Sequence, residues 1–65
     1  MNIYVNGKKT AAQSNLLAVL QTQNLAEKRG IAVAVNDQIV PKTAWTNCML
    51  NENDKVLIIQ ASQGG

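Results

Sequence analysis

Sixty-five residues make one small domain, and 46% hydrophobic against 15% charged residues makes it a globular one rather than a disordered chain. With no Phe, one Trp and one Tyr, the core has to be filled by Val, Ile, Leu and Ala. The net charge of +2 sets Lys8, Lys9, Lys28, Arg29, Lys42 and Lys55 against Glu27, Asp37, Glu52 and Asp54; the basic residues are scattered singly or in pairs, without the basic stripe and stacking aromatics that nucleic-acid binding calls for.

In chain order, "NIYVNGKKT" reads as a β-hairpin. Ile3 and Val5 alternate with Asn2 and Tyr4, the period of a half-buried strand. Asn6-Gly7 supplies the dipeptide that tolerates positive φ at both corners of a type I′ turn. "KKTAAQ" follows as a polar strand suited to a sheet edge. "SNLLAVLQTQNLAEK" is the one helix candidate, capped by Ser14 or Asn15 accepting a free backbone N–H. Leu16, Val19, Leu20 and Gln23 follow helical spacing, Leu17 and Leu25 widen or close the apolar face, and Arg29-Gly30 is the expected exit.

"GIAVAVNDQIVP" reads as strand, tight turn and short strand. Ile31, Val33 and Val35 share one face and Ala32 and Ala34 the other, while Asn36 and Asp37 suit the turn because they tolerate the left-handed region. Pro41 ends the return strand, since it cannot donate to the ladder. "KTAWTNCML" suggests a short helical turn and loop, "NEND" a further turn, and "KVLIIQA" a last strand. In that strand Val56 and Ile58 point one way and Leu57 and Ile59 the other, all four apolar. Such a strand belongs in the middle of a sheet, because at an edge it would invite aggregation.

One helix across one face of a mixed sheet is the economical packing of these elements. The expected fold class is therefore α+β, a β-grasp or ubiquitin-like roll, with the first and last strands side by side at the centre. Residues 1–60 would form the domain and 61–65 a flexible tail. A single helix covers only one face, so the second face either stays exposed or is covered by something outside this chain.

The chemistry-bearing residues are few. Cys48 alone cannot form an internal disulfide or a multi-cysteine metal site, and a chain without His has no His-based acid–base catalysis and no zinc chemistry of the usual kind. Cys48 is expected to be a small, partly buried hydrophobe, for want of an adjacent base. Trp45 is read as a lid on the small core and Lys42 as solvated. No apolar run approaches the ~20 residues of a membrane helix, and the N-terminus lacks a signal-peptide pattern, so no membrane association is expected. The expected compartment is the cytoplasm, or the plastid stroma for a plastid-encoded chain. That leaves the ending "ASQGG". Glycine gains little from burial and weakens strands, so folding gives no reason for this pair. Either the end is an ordinary frayed terminus, or the terminal carboxylate is the functional group and the glycines are its stem.

"IYVNG" near the start, "VAVNDQIVP" with Trp45 soon after, "NDKVLII" and the terminal Gly64-Gly65 together resemble the ThiS family, the small sulfur carriers of thiamin biosynthesis. The likeness runs from Met1 to Gly65 and is most specific in "VAVN-x-x-IVP" combined with the Gly-Gly end. Two positions depart from the family pattern. Asn53-Asp54 stands where Gly-Asp is frequent, and asparagine's tolerance of the left-handed region should preserve that turn. Lys42 stands where arginine often follows "VP", which would forfeit bidentate pairing with a partner's carboxylate.

The resemblance implies a carrier for the thiazole of thiamin, not an enzyme. An E1-like adenylyltransferase would use ATP and Mg to convert the Gly65 carboxylate to an acyl-adenylate. The chain has neither "GxxxxGK[ST]" nor "GxGxxG", so the nucleotide and metal belong to that partner and this chain binds no cofactor. A persulfide sulfur derived from a cysteine desulfurase would displace AMP, leaving a thiocarboxylate from which thiazole synthase takes the sulfur. Gly64, Gln63 and Ser62 would form the carrier tail, with glycine allowing close approach to the nucleotide. Leu57, Ile59, Tyr4, Ala32 and Ala34, on the helix-free face, are the expected docking patch for a partner. Alternatives are a carrier of the molybdopterin synthase type, a ubiquitin-like protein modifier conjugated to lysines, or an interaction module with no chemistry at its tail.

Overall fold

The computed structural model describes residues 1–60. Its elements follow the expected order: β1 (Asn2–Val5), β2 (Lys8–Ala11), α1 (Leu16–Thr22), β3 (Ile31–Val35), β4 (Gln38–Val40), a 3-10 segment (Lys42–Asn47) and β5 (Lys55–Gln60). The five strands form one sheet in the order β2-β1-β5-β3-β4. β1 and β5 run parallel at its centre, joined by the Tyr4 N–H to the Asp54 carbonyl and the Asn6 N–H to the Val56 carbonyl, both 2.9 Å. The other pairings are antiparallel. This is the β-grasp arrangement, with the doubly apolar strand in the middle.

Both hairpins close on two residues. Val5 pairs with Lys8 around Asn6 (φ 51°) and Gly7 (φ 82°), and Val35 pairs with Gln38 around Asn36 (φ 49°) and Asp37 (φ 72°). Positive φ at both corners is the requirement of a type I′ turn, whose twist matches that of the flanking strands. Asn53, at φ 69°, takes the left-handed position where the family often has glycine, so that departure leaves the turn intact.

Helix α1 starts as expected and ends early. Asn15, in extended conformation, is the N-cap, its Oδ1 accepting the Ala18 N–H at 3.2 Å. Its Nδ2 donates to the Thr46 carbonyl at 2.8 Å, tying the helix start to the 3-10 segment. The expected exit at Arg29-Gly30 is wrong, because the helix stops at Thr22. Asn24 enters the left-handed region at φ 60°. Its N–H then bonds the Gln21 carbonyl at 3.1 Å, and the Leu25 N–H bonds the Leu20 carbonyl at 2.8 Å. These two bonds are the Schellman pattern, with asparagine in the place glycine usually takes. Gln23 is consequently an exposed C-cap residue and not part of the apolar face. Leu25 and Ala26, beyond the helix, still pack against the core.

The core lies between α1 and one sheet face. Ile3, Val33 and Val56 rise from the sheet to meet Leu16, Val19 and Leu20, with Val5, Val35 and Ile58 partly buried around them. The 3-10 segment closes the side of this core with Trp45, only 2% exposed, whose indole N–H donates to the Val40 carbonyl at 3.0 Å. That satisfies the one polar group the ring brings inside. Leu50 completes the core. It is held in place because the Leu16 N–H bonds the Cys48 carbonyl and the Leu50 N–H bonds the Ser14 carbonyl, a short antiparallel crossing of the two loops.

Ile3→Ala should cost about 2–5 kcal/mol in urea unfolding, since it leaves a cavity in a close-packed core. Leu57→Ala, on the opposite face, should cost less than about 1 kcal/mol. Equal costs would contradict this register. Asn24→Ala should cost about 1 kcal/mol, because alanine lacks the short polar side chain whose local hydrogen bonding lets asparagine tolerate the left-handed region, while Asn24→Gly should cost nothing measurable.

Candidate functional site

The sheet face turned away from α1 follows from the register. Tyr4 on β1 stands opposite Lys9 on β2 and beside Lys55 on β5. Leu57 and Ile59 on β5 face Ala34 and Ala32 on β3, and Ala34 also faces Ile39 on β4. The expected patch of Tyr4, Ala32, Ala34, Leu57 and Ile59 thus lies on one continuous surface. Leu57 is 49% exposed and Ile59 52%, Ala32 is exposed and Tyr4 half-buried. Ala34 differs, being only 7% exposed, because the larger Leu57 and Ile39 stand on either side of it. It acts as the floor between two apolar ridges.

Ile39, at 70%, is the most exposed large aliphatic side chain among the described residues. Sequence reasoning left it out of the patch. The signal was available: a two-residue turn at Asn36-Asp37 forces Ile39 opposite Ala34, and hence onto the face that Ala34 occupies. Charge surrounds this surface unevenly. Lys9 and Lys55 flank Tyr4, while Asp37 stands in the turn next to the start of β5.

Strand β5 is fastened firmly at the end away from residue 61. The Asn36 side chain accepts the Lys55 N–H and donates to Asp54 Oδ1, both at 3.0 Å, and Asp54 Oδ2 accepts the Asn51 N–H at 2.8 Å. β1 turns away at Val5, and beyond that point the Asn6 side chain takes over its role in the ladder. Asn6 Oδ1 accepts the Ile58 N–H at 2.7 Å. The strand therefore stays pinned on the β1 side two residues past its last backbone partner. Gln60, paired with Ile31, ends the strand at the side of the sheet opposite the Asn36-Asp37 turn, the side toward which the Asn6-Gly7 turn points. The proposed carrier residues Ser62, Gln63, Gly64 and Gly65, and the expected flexibility of 61–65, lie outside the described residues.

Cys48 sits half-buried at the end of the 3-10 segment, its N–H on the Trp45 carbonyl. Burial, and secondarily the negative charge of Asp54, push its thiol pKa up. A thiol held protonated is a poor nucleophile and a poor metal ligand, which fits a packing residue. Among the described residues no three His, Cys, Asp or Glu side chains gather to hold a metal ion, and no helix is long and apolar enough to cross a membrane. Lys42 is exposed, as expected.

Two outcomes test this geometry. Asn6→Ala should speed hydrogen exchange at the Ile58 amide and destabilise the fold by about 1–2 kcal/mol, from a lost acceptor and from alanine's poorer tolerance of positive φ than asparagine's. Unchanged exchange at Ile58 would contradict the pinning role. Cys48 should alkylate with iodoacetamide more slowly than free cysteine at pH 8, because its raised pKa leaves less thiolate there, and the deficit should shrink as pH rises.

Comparison with known proteins agrees with this architecture. A crystal structure of the thiamine biosynthesis protein ThiS from Geobacter metallireducens superimposes with a TM-score of 0.81 at 23% identity, covering 100% of both chains. A solution NMR structure of a Geobacter metallireducens thiamine biosynthesis protein gives 0.77 at 23% identity, covering 100% of this chain and 88% of that one. At that identity the likeness concerns the fold. The Escherichia coli (strain K12) protein named sulfur carrier protein ThiS is 39% identical over 36 residues, a match that spans 55% of this chain and 54% of that relative. The model of the ThiS family matches residues 4–65, nearly the whole sequence and through both terminal glycines. The chain belongs to the ThiS family.

Proposed function

We propose that this protein is a sulfur carrier for the thiazole of thiamin, and that its working group is the carboxylate of Gly65. The observation that carries this reading is the family match, which continues past the folded sheet through Gly64-Gly65. The name of the Escherichia coli relative points the same way.

The chemistry explains why a main-chain terminus would serve. A carboxylate resists nucleophiles because of its charge and its poor leaving group. Adenylation by a partner replaces one oxygen with a phosphate leaving group and releases pyrophosphate. The terminal sulfur of a persulfide then attacks the carbonyl carbon and AMP departs. A second thiol cleaves the resulting disulfide, leaving a thiocarboxylate on Gly65 whose soft anionic sulfur is poised for transfer to the thiazole-forming enzyme. Both substitutions at the carbonyl carbon or its oxygen take place on Gly65, the last thiol–disulfide exchange closes a disulfide on the sulfur donor, and the catalytic groups and the nucleotide site belong to the partners. In this reading the domain presents the tail and is recognised. The helix-free face, with Leu57, Ile59 and Ile39 exposed around Ala34, is the proposed docking surface for the adenylyltransferase.

The test separates folding from transfer. Deleting Gly65 should leave the melting curve unchanged and abolish ATP–pyrophosphate exchange with the adenylyltransferase, because the carboxylate falls about 3.5 Å short of the nucleotide. Adding one alanine after Gly65 should be nearly as harmful, and Gly64→Val intermediate, since a Cβ restricts close approach. Leu57→Asp should keep the fold but weaken the complex at least about tenfold, because a charge costs little in water and much once that face is desolvated. Normal exchange by the extended protein on its new last residue would overturn the carrier reading.

A further inference from the structure

Between the Asn36-Asp37 turn at the start of β5 and the Asn6-Gly7 turn farther along it, the helix-free face deepens into a cleft of about 420 Å³. Tyr4 and Leu57 form its apolar walls, Asn6 and Gly7 close one end, and Asp37 and Lys55 contribute its charged groups. Its volume falls within the range of about 300–1,000 Å³ over which protein pockets hold compact ligands. Along β5 the cleft is lined from Lys55 to Leu57, and Leu57 stands three residues, about 10 Å of extended strand, before Gln60.

We propose that this cleft on the folded sheet is a second anchor point, in addition to the Gly65 carboxylate, that takes an apolar side chain flanked by a carboxylate on the surface of a protein partner. The proposal rests on the reading of the helix-free face as a docking surface, and adds what the partner must bring to it. The commitment to an acidic flank comes from charge complementarity. Lys55 on β5 stands at the cleft on one side of Tyr4 and Lys9 on β2 stands on its other side, so two ammonium groups flank the ring. Asn6 Oδ1 is already engaged by the Ile58 N–H, which turns the amide's remaining hydrogen-bonding capacity, its Nδ2 donor, to other partners. Asp37, on the β3–β4 side, repels a second carboxylate there. An acid on the occupant is therefore accepted from one direction, over Tyr4 and Lys55, while the ring or alkyl group lies against Tyr4 and Leu57. The same two lysines oppose a second copy of this chain as the occupant, since copies would bring like charges to the shared surface. Apolar anchors seated in pockets with a charged rim are the usual centres of binding energy in protein interfaces.

The probe is a pair of blocked dipeptides, acetyl-Asp-Phe-amide and acetyl-Asn-Phe-amide, titrated into the 15N-labelled full chain while backbone amide shifts are followed. The expected result is saturable shifts at Gly7, Lys55 and Leu57, with the Asp peptide binding about two- to fivefold tighter at low salt. That preference should vanish in Lys55→Gln, a surface change that leaves the core untouched. Shifts confined to Ile39 and Ile59, absent shifts, or equal affinity for the two peptides would each overturn the proposal. Tight binding of free phenylpropionate with no discrimination between the dipeptides would overturn it too, by assigning the cleft to a small molecule. Failure here is distinguishable from failure of the carrier reading, because adenylation of Gly65 and its sensitivity to tail length are measured without reference to this cleft.

Discussion

Strand β5 is apolar on both faces, and the described residues include one seven-residue α-helix with which to cover them. The rest of the structure answers that mismatch. Placing β5 at the centre, between β1 and β3, protects its backbone groups on both sides and spares the molecule a sticky edge. The edges themselves are guarded: β2 carries Lys8 and Lys9, and β4 has three residues and ends at Pro41. On one face, α1 and the 3-10 segment with Trp45 bury Val56 and its neighbours. On the other, no element among the described residues does so. Leu57, Ile59 and Ile39 stay at the surface there, and an uncovered apolar surface on a small domain is stabilised by association.

Asparagine does much of the local work that glycine does elsewhere. Asn6, Asn24, Asn36 and Asn53 all take positive φ, three of them in the turns that bring β1, β3 and β5 together. Asn6 and Asn36 add side-chain bonds to the β5 backbone, which glycine could not make. Their two bonds hold the strand from Lys55 to Ile58 against both neighbours. The polypeptide that follows Gln60 therefore springs from a fixed base, and a carrier tail needs such a base if its last residue is to arrive reproducibly at a partner's reaction centre.

Much of this was legible in the residues, for identifiable reasons. Asn6-Gly7 and Asn36-Asp37 between alternating apolar runs specify two-residue hairpins, and a doubly apolar β5 specifies a central strand; that β1 is its neighbour came from the economy of a one-helix fold, not from local signals. The helix end was misread because Leu25 and Ala26 keep helical spacing while packing on the core from outside the helix, and asparagine at 24 is a quieter stop signal than the glycine at 30. Ile39 was missed because a three-residue strand offers too little alternation to assign a face; its partner Ala34 does so through the turn. Leu50 lies in a loop with no periodicity, and only the crossing of the 14–16 and 48–50 backbones brings it inside. As for the tail, Gly64-Gly65 is conspicuous in the sequence because folding gives no use for it, so its meaning came from chemistry and from the family, not from packing.

The central claim, that the domain exists to present a terminal carboxylate for sulfur loading, is tested most directly by intact-mass spectrometry of the full chain. The protein would be incubated with its adenylyltransferase, ATP, Mg, a persulfide donor and a thiol reductant. The carrier account predicts one mass increase equal to replacing a single oxygen by sulfur, placed on Gly65 by fragmentation and absent without ATP. A mass that stays unchanged under these conditions, or a sulfur found on Cys48 in place of Gly65, would contradict it.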